Sequence, residues 1–211
     1  MWRSKRIGVA VYPRQSGKDV AMSMEMSERR LRMPKTTGTY ISLNNPMIRD
    51  ILWDKTYLDP ETGQYVRMLQ DNVPAELCTW RNTVLEGRFA NGSRMKLQGY
   101  FQSGTDTNGV GTSFQDYAFT ELALFTREDP IPRLMPILTA TPDKRLTVVS
   151  TPRGKRKNPL WQLMESLRGN PEYGEIVWGI DDINAQMIAA GLEPVRSQED
   201  LERDRDAYVR R

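Results

Sequence analysis

Apolar and polar positions in this chain switch repeatedly between a strand rhythm and a helix rhythm. Ile7-Gly8-Val9-Ala10-Val11 is an unbroken apolar run of the kind shown by a strand buried on both faces. A loop over 13–18 follows, and then a helical stretch over about 19–33. The pattern predicts a second strand over 39–43 and a helix over 44–57, where Met47, Ile48, Ile51 and Leu52 fall at helical spacing. The polar segment 57–72 reads as irregular. Val84, Phe89, Met95 and Leu97 flank Asn91-Gly92, the strongest short hairpin signal, so a β-hairpin is expected between Thr83 and Gly99. Further strands are expected over 114–120, 146–150 and 175–180, and helices over 131–138, 158–167 and 183–190, the last ended by Gly191. Ser197-Gln198-Glu199-Asp200 has the form of a capping box with Asp in the Glu position and opens a charged stretch over 201–211. Alternating strands and helices predict an α/β domain with a mainly parallel central sheet flanked by helices and carrying a β-hairpin insertion. The expected division is one domain over 1–195 and a charged helical tail or linker start over 196–211.

Composition narrows the chemistry. The chain has 211 residues, 38% of them hydrophobic, enough for one substantial core. No apolar run approaches the roughly 20 residues of a membrane helix, so neither a span nor ordinary secretion is expected. The single cysteine, Cys78, reads as a small buried hydrophobe and excludes a disulfide framework within the chain. Histidine is absent, which removes the commonest zinc ligand, the commonest general base and the Ser-His and Cys-His nucleophile pairs. Catalysis here must use carboxylates, lysine, arginine or a bound hard cation. A formal charge of +3 fits an anionic partner.

The most informative segment is Tyr12-Pro13-Arg14-Gln15-Ser16-Gly17-Lys18-Asp19, placed where an apolar strand gives way to a helix. Against G-x-x-x-x-G-K-[ST] it keeps Gly17 and Lys18 but has Tyr12 at the first glycine and Asp19 at the hydroxyl position. A phosphate loop needs backbone N–H groups converging at a helix N-terminus, a glycine permitting close approach and a lysine for the β/γ-phosphates. All three are available, and Arg14 adds a second cation able to fork onto phosphate oxygens. The rival reading is a surface turn before a helix.

ATP hydrolysis also needs a carboxylate at the end of a neighbouring buried strand. Tyr117-Ala118-Phe119-Thr120-Glu121 supplies one, with Thr120 where an Asp is usual. The hydroxyl and the carboxylate have traded places: the loop brings Asp19 and the strand brings Thr120. Mg²⁺ takes oxygen ligands, usually one or two from protein, so either arrangement could hold it. Glu121 would then polarise the attacking water, with Asp116, on the face of Thr120, as second choice. A third strand ends Ser150-Thr151-Pro152-Arg153-Gly154 and presents hydroxyls at the carboxyl edge of the sheet, where ligands bind in open α/β folds.

Arg14-Gln15-Ser16-Gly17-Lys18, the Asn91-Gly92-Ser93 hairpin, Thr120-Glu121 and Ser150-Thr151-Pro152-Arg153-Gly154 together resemble the ATPase half of the large terminase subunit of tailed bacteriophages, over roughly residues 5–190. The resemblance implies a P-loop ATPase fold with an extra strand between loop and acidic strand. It implies that Arg14 to Lys18, within the stretch Pro13 to Asp19, hold the phosphates of ATP, that Arg14 and Lys18 act with a catalytic Glu121, and that Ser150 to Gly154 couple γ-phosphate sensing to DNA grip. Asp19 and Thr120 depart from the family's commonest pattern, and their exchange of carboxylate and hydroxyl suggests a variant Mg²⁺ site. The implied partners are double-stranded DNA, a portal protein, a small terminase subunit and further copies in a ring on the procapsid, in the host bacterial cytoplasm. The nuclease domain and upstream adenine-contacting segment of relatives are not expected here. Arg88, Arg94 and Arg127 are candidates for a finger acting in trans. A second reading is a non-catalytic prophage remnant that binds nucleic acid or a partner, and a third is a helicase-like motor of the same fold.

The basic cluster Arg153, Lys155, Arg156, Lys157 reads equally as a DNA-phosphate contact or a solvated turn. Met22, Met24, Met26 and Met33 read as packing residues, and Trp53, Trp80, Trp161 and Trp178 as buried or partly buried rather than as a base-stacking platform.

Overall fold

The computed structural model describes residues 5–13, 17–59, 61–101, 114–125, 127–152 and 158–191. Its centre is an eight-stranded sheet in the order β10-β1-β9-β8-β2-β7-β6-β5. The strands are β1 (Ile7–Val11), β2 (Thr37–Ser42), β5 (Cys78–Arg81), β6 (Glu86–Phe89), β7 (Arg94–Gly99), β8 (Asp116–Thr120), β9 (Arg145–Ser150) and β10 (Tyr173–Val177). From β10 to β7 every neighbouring pair is parallel, and β6 and β5 add an antiparallel wing. β1 and β8 are buried at every position; β1 accordingly reads as an unbroken apolar run, whereas β8 is apolar over Tyr117 to Phe119 and buries polar Asp116 and Thr120 at its ends.

Helices cover both faces. α1 (Lys18–Arg32) lies on one face, where Met22 and Met26 join Ala10, Tyr40, Met95, Ala118 and Val149. It stops before Pro34, which cannot continue a helix. α3 (Ile131–Ala140) and α4 (Pro159–Leu167) bury Leu134, Leu138, Leu160 and Leu163 against Val9, Ile41, Phe119 and Val148 on the other face. α5 (Ile180–Ala189) follows β10. Asn158 caps α4 by accepting from the Trp161 N–H at 3.0 Å.

Three local expectations need correction. The helix expected over 44–57 is a single α turn, α2 (Asn45–Ile48), running into a π-type turn (Arg49–Trp53). Asn44 caps it and Pro46 stands in its first turn, while Trp53 is pinned across the fold by a 2.8 Å hydrogen bond to Asn82 Oδ1. The segment read as irregular carries a small antiparallel pair, β3 (Thr56–Leu58) and β4 (Tyr65–Arg67), with Gly63 at φ 66 in the turn between them. β5, which had no local signature, extends the β6–β7 hairpin by pairing Cys78 with Phe89. The hairpin sits where Asn91-Gly92 placed it, with Gly92 at φ 83, and β7 pairs antiparallel with β6 but parallel with β2. The charged stretch over 196–211 lies outside the described residues.

Candidate active site

The carboxyl ends of β1, β9 and β8 and the N-terminus of α1 meet at one edge of the sheet. Gly17 enters α1 in the left-handed conformation, at φ 71, and a Cβ there would meet nothing within 4 Å, so the backbone is open to approach. Lys18 is the first helical residue and is only 9% exposed. Its ammonium lies 3.1 Å from Asp19 Oδ2 and 2.7 Å from Glu121 Oε1. Burial alone would lower its pKa, but the Asp19 and Glu121 carboxylates outweigh that and hold it above its ordinary value.

Asp19 is fixed from two strands. Its Oδ1 accepts the Tyr40 hydroxyl of β2 at 2.6 Å and also the Thr120 hydroxyl of β8. The carboxylate on the helix and the hydroxyl on the strand are thus direct partners, in the reversed arrangement that the sequence suggests. Tyr40 and Thr120 are fully buried. Burial first, and then the Asp19 carboxylate, push the Tyr40 phenol well above its usual pKa, so it stays a donor.

Glu121 follows β8 at φ 53, a left-handed conformation costing a non-glycine residue about 1–3 kcal/mol. In a regular strand successive side chains alternate between faces. This turn breaks that alternation, so Thr120 and Glu121 both reach the Lys18–Asp19 pair. Glu121 Oε1 also accepts the Thr151 hydroxyl at 2.8 Å, and the Thr151 N–H points to Oε2 at 3.4 Å. Ser150 Oγ accepts from the Ala123 N–H at 3.4 Å, in the 3₁₀ turn after Glu121. The end of β9 is therefore hydrogen-bonded both to Glu121 and to the turn that follows it. Pro13 and Pro152 flank the cluster along the chain, whereas Arg14, Gln15, Ser16, Arg153, Gly154, Lys155, Arg156 and Lys157 lie outside the described residues.

Other candidates go elsewhere. Asp116, the alternative acid, sits at the opposite end of β8, about 13 Å along the strand from Thr120. There it is paired with Arg29 at 2.6 Å and with Arg30. Arg94 pairs with Thr37 at the start of β2, at the edge away from this cluster, and Arg88 stands opposite it, bound to Glu86 at 2.6 Å. Arg127 is exposed beyond the turn that follows Glu121. Tyr40 escaped sequence reasoning, because its link to Asp19 depends on β2 lying beside β8, which no local motif announces.

Two carboxylates and a hydroxyl are hard oxygen donors and fit Mg²⁺, which needs one or two protein ligands. Among the described residues no group of three or more His, Cys, Asp or Glu could hold a metal by itself.

No protein-family model and no curated protein matches the sequence. Solved structures do. The large terminase ATPase domain of Thermus phage P74-26 aligns with a TM-score of 0.62 at 17% identity, over 89% of this chain and 81% of that one. The large terminase of a thermophilic bacteriophage gives 0.67 at 12% identity over 95% of this chain and 45% of that one. The HK97 bacteriophage large terminase gives 0.66 at 14%, over 98% and 44%. The thermophilic phage protein is also known in complexes with ATP-γ-S and with ADP. This chain thus spans less than half of those two proteins and most of the isolated domain, and it has the fold of a phage large-terminase ATPase domain.

Proposed function

We propose that this chain is the ATP-hydrolysing motor unit of a phage DNA-packaging terminase. The observation that carries the reading is the cluster of buried Lys18 and Glu121 with half-buried Asp19, tied to Thr120 and Thr151 at the first turn of α1, on that fold. The loop from Pro13 to Lys18, with Arg14 and the backbone of Gln15, Ser16 and Gly17, receives the phosphates at the positive end of α1. Lys18 is held by two carboxylates and can exchange them for phosphate oxygens. Asp19 and Thr120 would hold Mg²⁺, which when bound neutralises charge on the β- and γ-phosphates.

Glu121 is aimed by Thr151 through both hydroxyl and amide, and it takes the proton of the attacking water. Because Ser150 and Thr151 touch Glu121 and the turn after it, any change at the γ-phosphate reaches the stretch Ser150 to Gly154. That stretch passes it to the surfaces that hold DNA. The reading extends to a ring of copies on a portal, a small terminase subunit and action in the host cytoplasm. It also includes a single ATPase domain over 1–195 followed by a helical tail or linker over 196–211.

One observation favours a second reading, a binding module without turnover. Asp19 Oδ1 already accepts two hydroxyls and Oδ2 faces Lys18, so the cluster is satisfied without ligand. Calorimetry of ATP and ADP binding with and without Mg²⁺, on wild type and Asp19→Ala, separates the two. The motor reading expects binding that needs both Mg²⁺ and Asp19, with turnover abolished in Lys18→Ala and Glu121→Gln. Absence of nucleotide binding at millimolar concentration in a folded protein would leave only the module.

A further inference from the structure

Ser42 ends β2 and Thr120 ends β8. The two strands run parallel, with Tyr40 beside Ala118 and Ile41 beside Phe119. One step on, the same register sets Ser42 beside Thr120, about 4.8 Å across the ladder. Tyr40 and Ala118 lie in the core under α1, so Ser42 and Thr120, two residues further along each strand, stand on that same face, where Asp19 gathers the hydroxyls of Tyr40 and Thr120. On the other side β7 sets Gly99 beside Ser42, and the backbone of Asn44 and Asn45 crosses there so closely that a Cβ on Gly99 would lie 2.4 Å from the Asn45 nitrogen. The row is therefore shut toward β7, which leaves the side toward Thr120. The other hydroxyls named at this edge are engaged: Tyr40 and Thr120 with Asp19, Thr151 with Glu121, Ser150 with the Ala123 N–H. Ser42 is fully buried and its carbonyl accepts the Tyr100 N–H at 2.8 Å, yet among the described residues its Oγ is the one buried hydroxyl without a hydrogen-bond partner. A buried hydroxyl left unpaired works against the fold, and an alanine would fill almost the same space without that cost.

We propose that Ser42 is a positioning residue for the Mg²⁺ that Asp19 and Thr120 would hold, its hydroxyl binding a water of the ion's shell. This rests on the nucleotide-and-metal reading above. Mg²⁺ usually takes one or two oxygens from protein and keeps several of its waters. Polar groups one layer out orient what the ion holds, and their loss typically weakens metal binding about 10- to 100-fold. Ser42 is the next polar side chain beyond Thr120 along the row and is equally buried, which suits the layer outside the two ligands. The loaded site gives this hydroxyl the partner that the protein alone does not.

The test uses Mn²⁺, which takes the same hard oxygen ligands, and follows the signal of the free ion by electron paramagnetic resonance during titration in the presence of ADP. Wild type, Ser42→Ala and Ser42→Thr are compared, with calorimetric binding of metal-free ADP and urea unfolding without ligand as controls. Ser42→Ala is expected to hold Mn²⁺ about 10- to 100-fold more weakly, to bind metal-free ADP as wild type does, and to unfold at a urea midpoint no lower than that of wild type. Ser42→Thr, which keeps the hydroxyl on a residue suited to strands, is expected to hold Mn²⁺ within a few-fold of wild type. Unchanged Mn²⁺ affinity in Ser42→Ala, an equal loss of metal-free ADP binding, or a folded Ser42→Thr as weak as the alanine variant overturns the assignment while leaving the motor reading standing. Failure of wild type to bind ADP with or without Mn²⁺ overturns both.

Discussion

Tyr40→Phe removes one oxygen from a fully buried ring and leaves the packing volume almost intact, so the lost hydrogen bond dominates its cost. That bond, 2.6 Å to Asp19 Oδ1, goes to a charged acceptor, for which a net contribution of about 1.5–3 kcal/mol is usual. Oδ1 keeps the Thr120 hydroxyl and is not orphaned, which puts the expected loss in the lower part of the range, about 1.5–2 kcal/mol. With a urea m-value of about 1–3 kcal/mol/M, the unfolding midpoint falls by roughly 0.5–2 M at unchanged slope. Because the phenol stays protonated far above neutrality, the loss is the same at neutral and mildly alkaline pH. Repeating the measurement in an Asp19→Asn background closes a double-mutant cycle. With the charge gone the tyrosine contributes only as to a neutral acceptor, and a coupling of at least about 0.5 kcal/mol is expected. A Tyr40→Phe cost below about 0.5 kcal/mol, or an equal cost in both backgrounds, would refute the view that β2 holds Asp19 in place.

Further outcomes follow from other groups. Lys18 has a raised pKa in the folded state, so its ionic contribution is fully present below its ordinary value of 10.5 and disappears as pH rises through the higher folded value; the difference in urea midpoint between wild type and Lys18→Met should vanish only at strongly alkaline pH. Asp116→Ala leaves the fully buried Arg30 and its neighbour Arg29 without their carboxylate and should cost about 3–5 kcal/mol in chemical denaturation, while the nucleotide affinity of the folded fraction is unchanged. Burial pushes the Cys78 thiol up to about 11, so a disulfide reagent at neutral pH should modify it only at the rate of unfolding, and rapid labelling of native protein would contradict the buried position.

Legibility in the sequence tracked burial. β1, β8 and β9 were readable because strands covered on both faces leave apolar runs, and α1, α3 and α4 because a one-sided apolar stripe has the helical period. β3 and β4 were not, since their six residues are exposed or half-buried and show no alternation. The π-type turn at Arg49–Trp53 follows from tertiary pinning of Trp53 by Asn82, a contact 29 residues distant. In the site, Gly17, Lys18 and Asp19 were visible from their place between strand and helix, and Thr120, Glu121 and Thr151 from strand ends. Tyr40 and the sharing of Lys18 between two carboxylates were invisible, because both depend on which strands lie side by side. Asp116 shows the converse: an acid on a buried strand attracts attention by type, yet its end of the strand decides its partner.

The strand that leads into the Gly17-Lys18 segment is the first of the sheet among the described residues, and both its neighbours are the last. Ile7 pairs with Leu146 on one side and Tyr173 on the other. During synthesis at roughly 5–20 residues per second, β1 waits on the order of 10–30 seconds for β10 to leave the ribosome. Until β9 emerges this apolar strand has two unpaired edges, and until β10 emerges it has one, the situation in which wrong pairing and capture by chaperones compete with folding. The site therefore closes late, from the C-terminal side, and a chain cut short before Val177 would carry the whole Gly-Lys segment on a strand with one edge open.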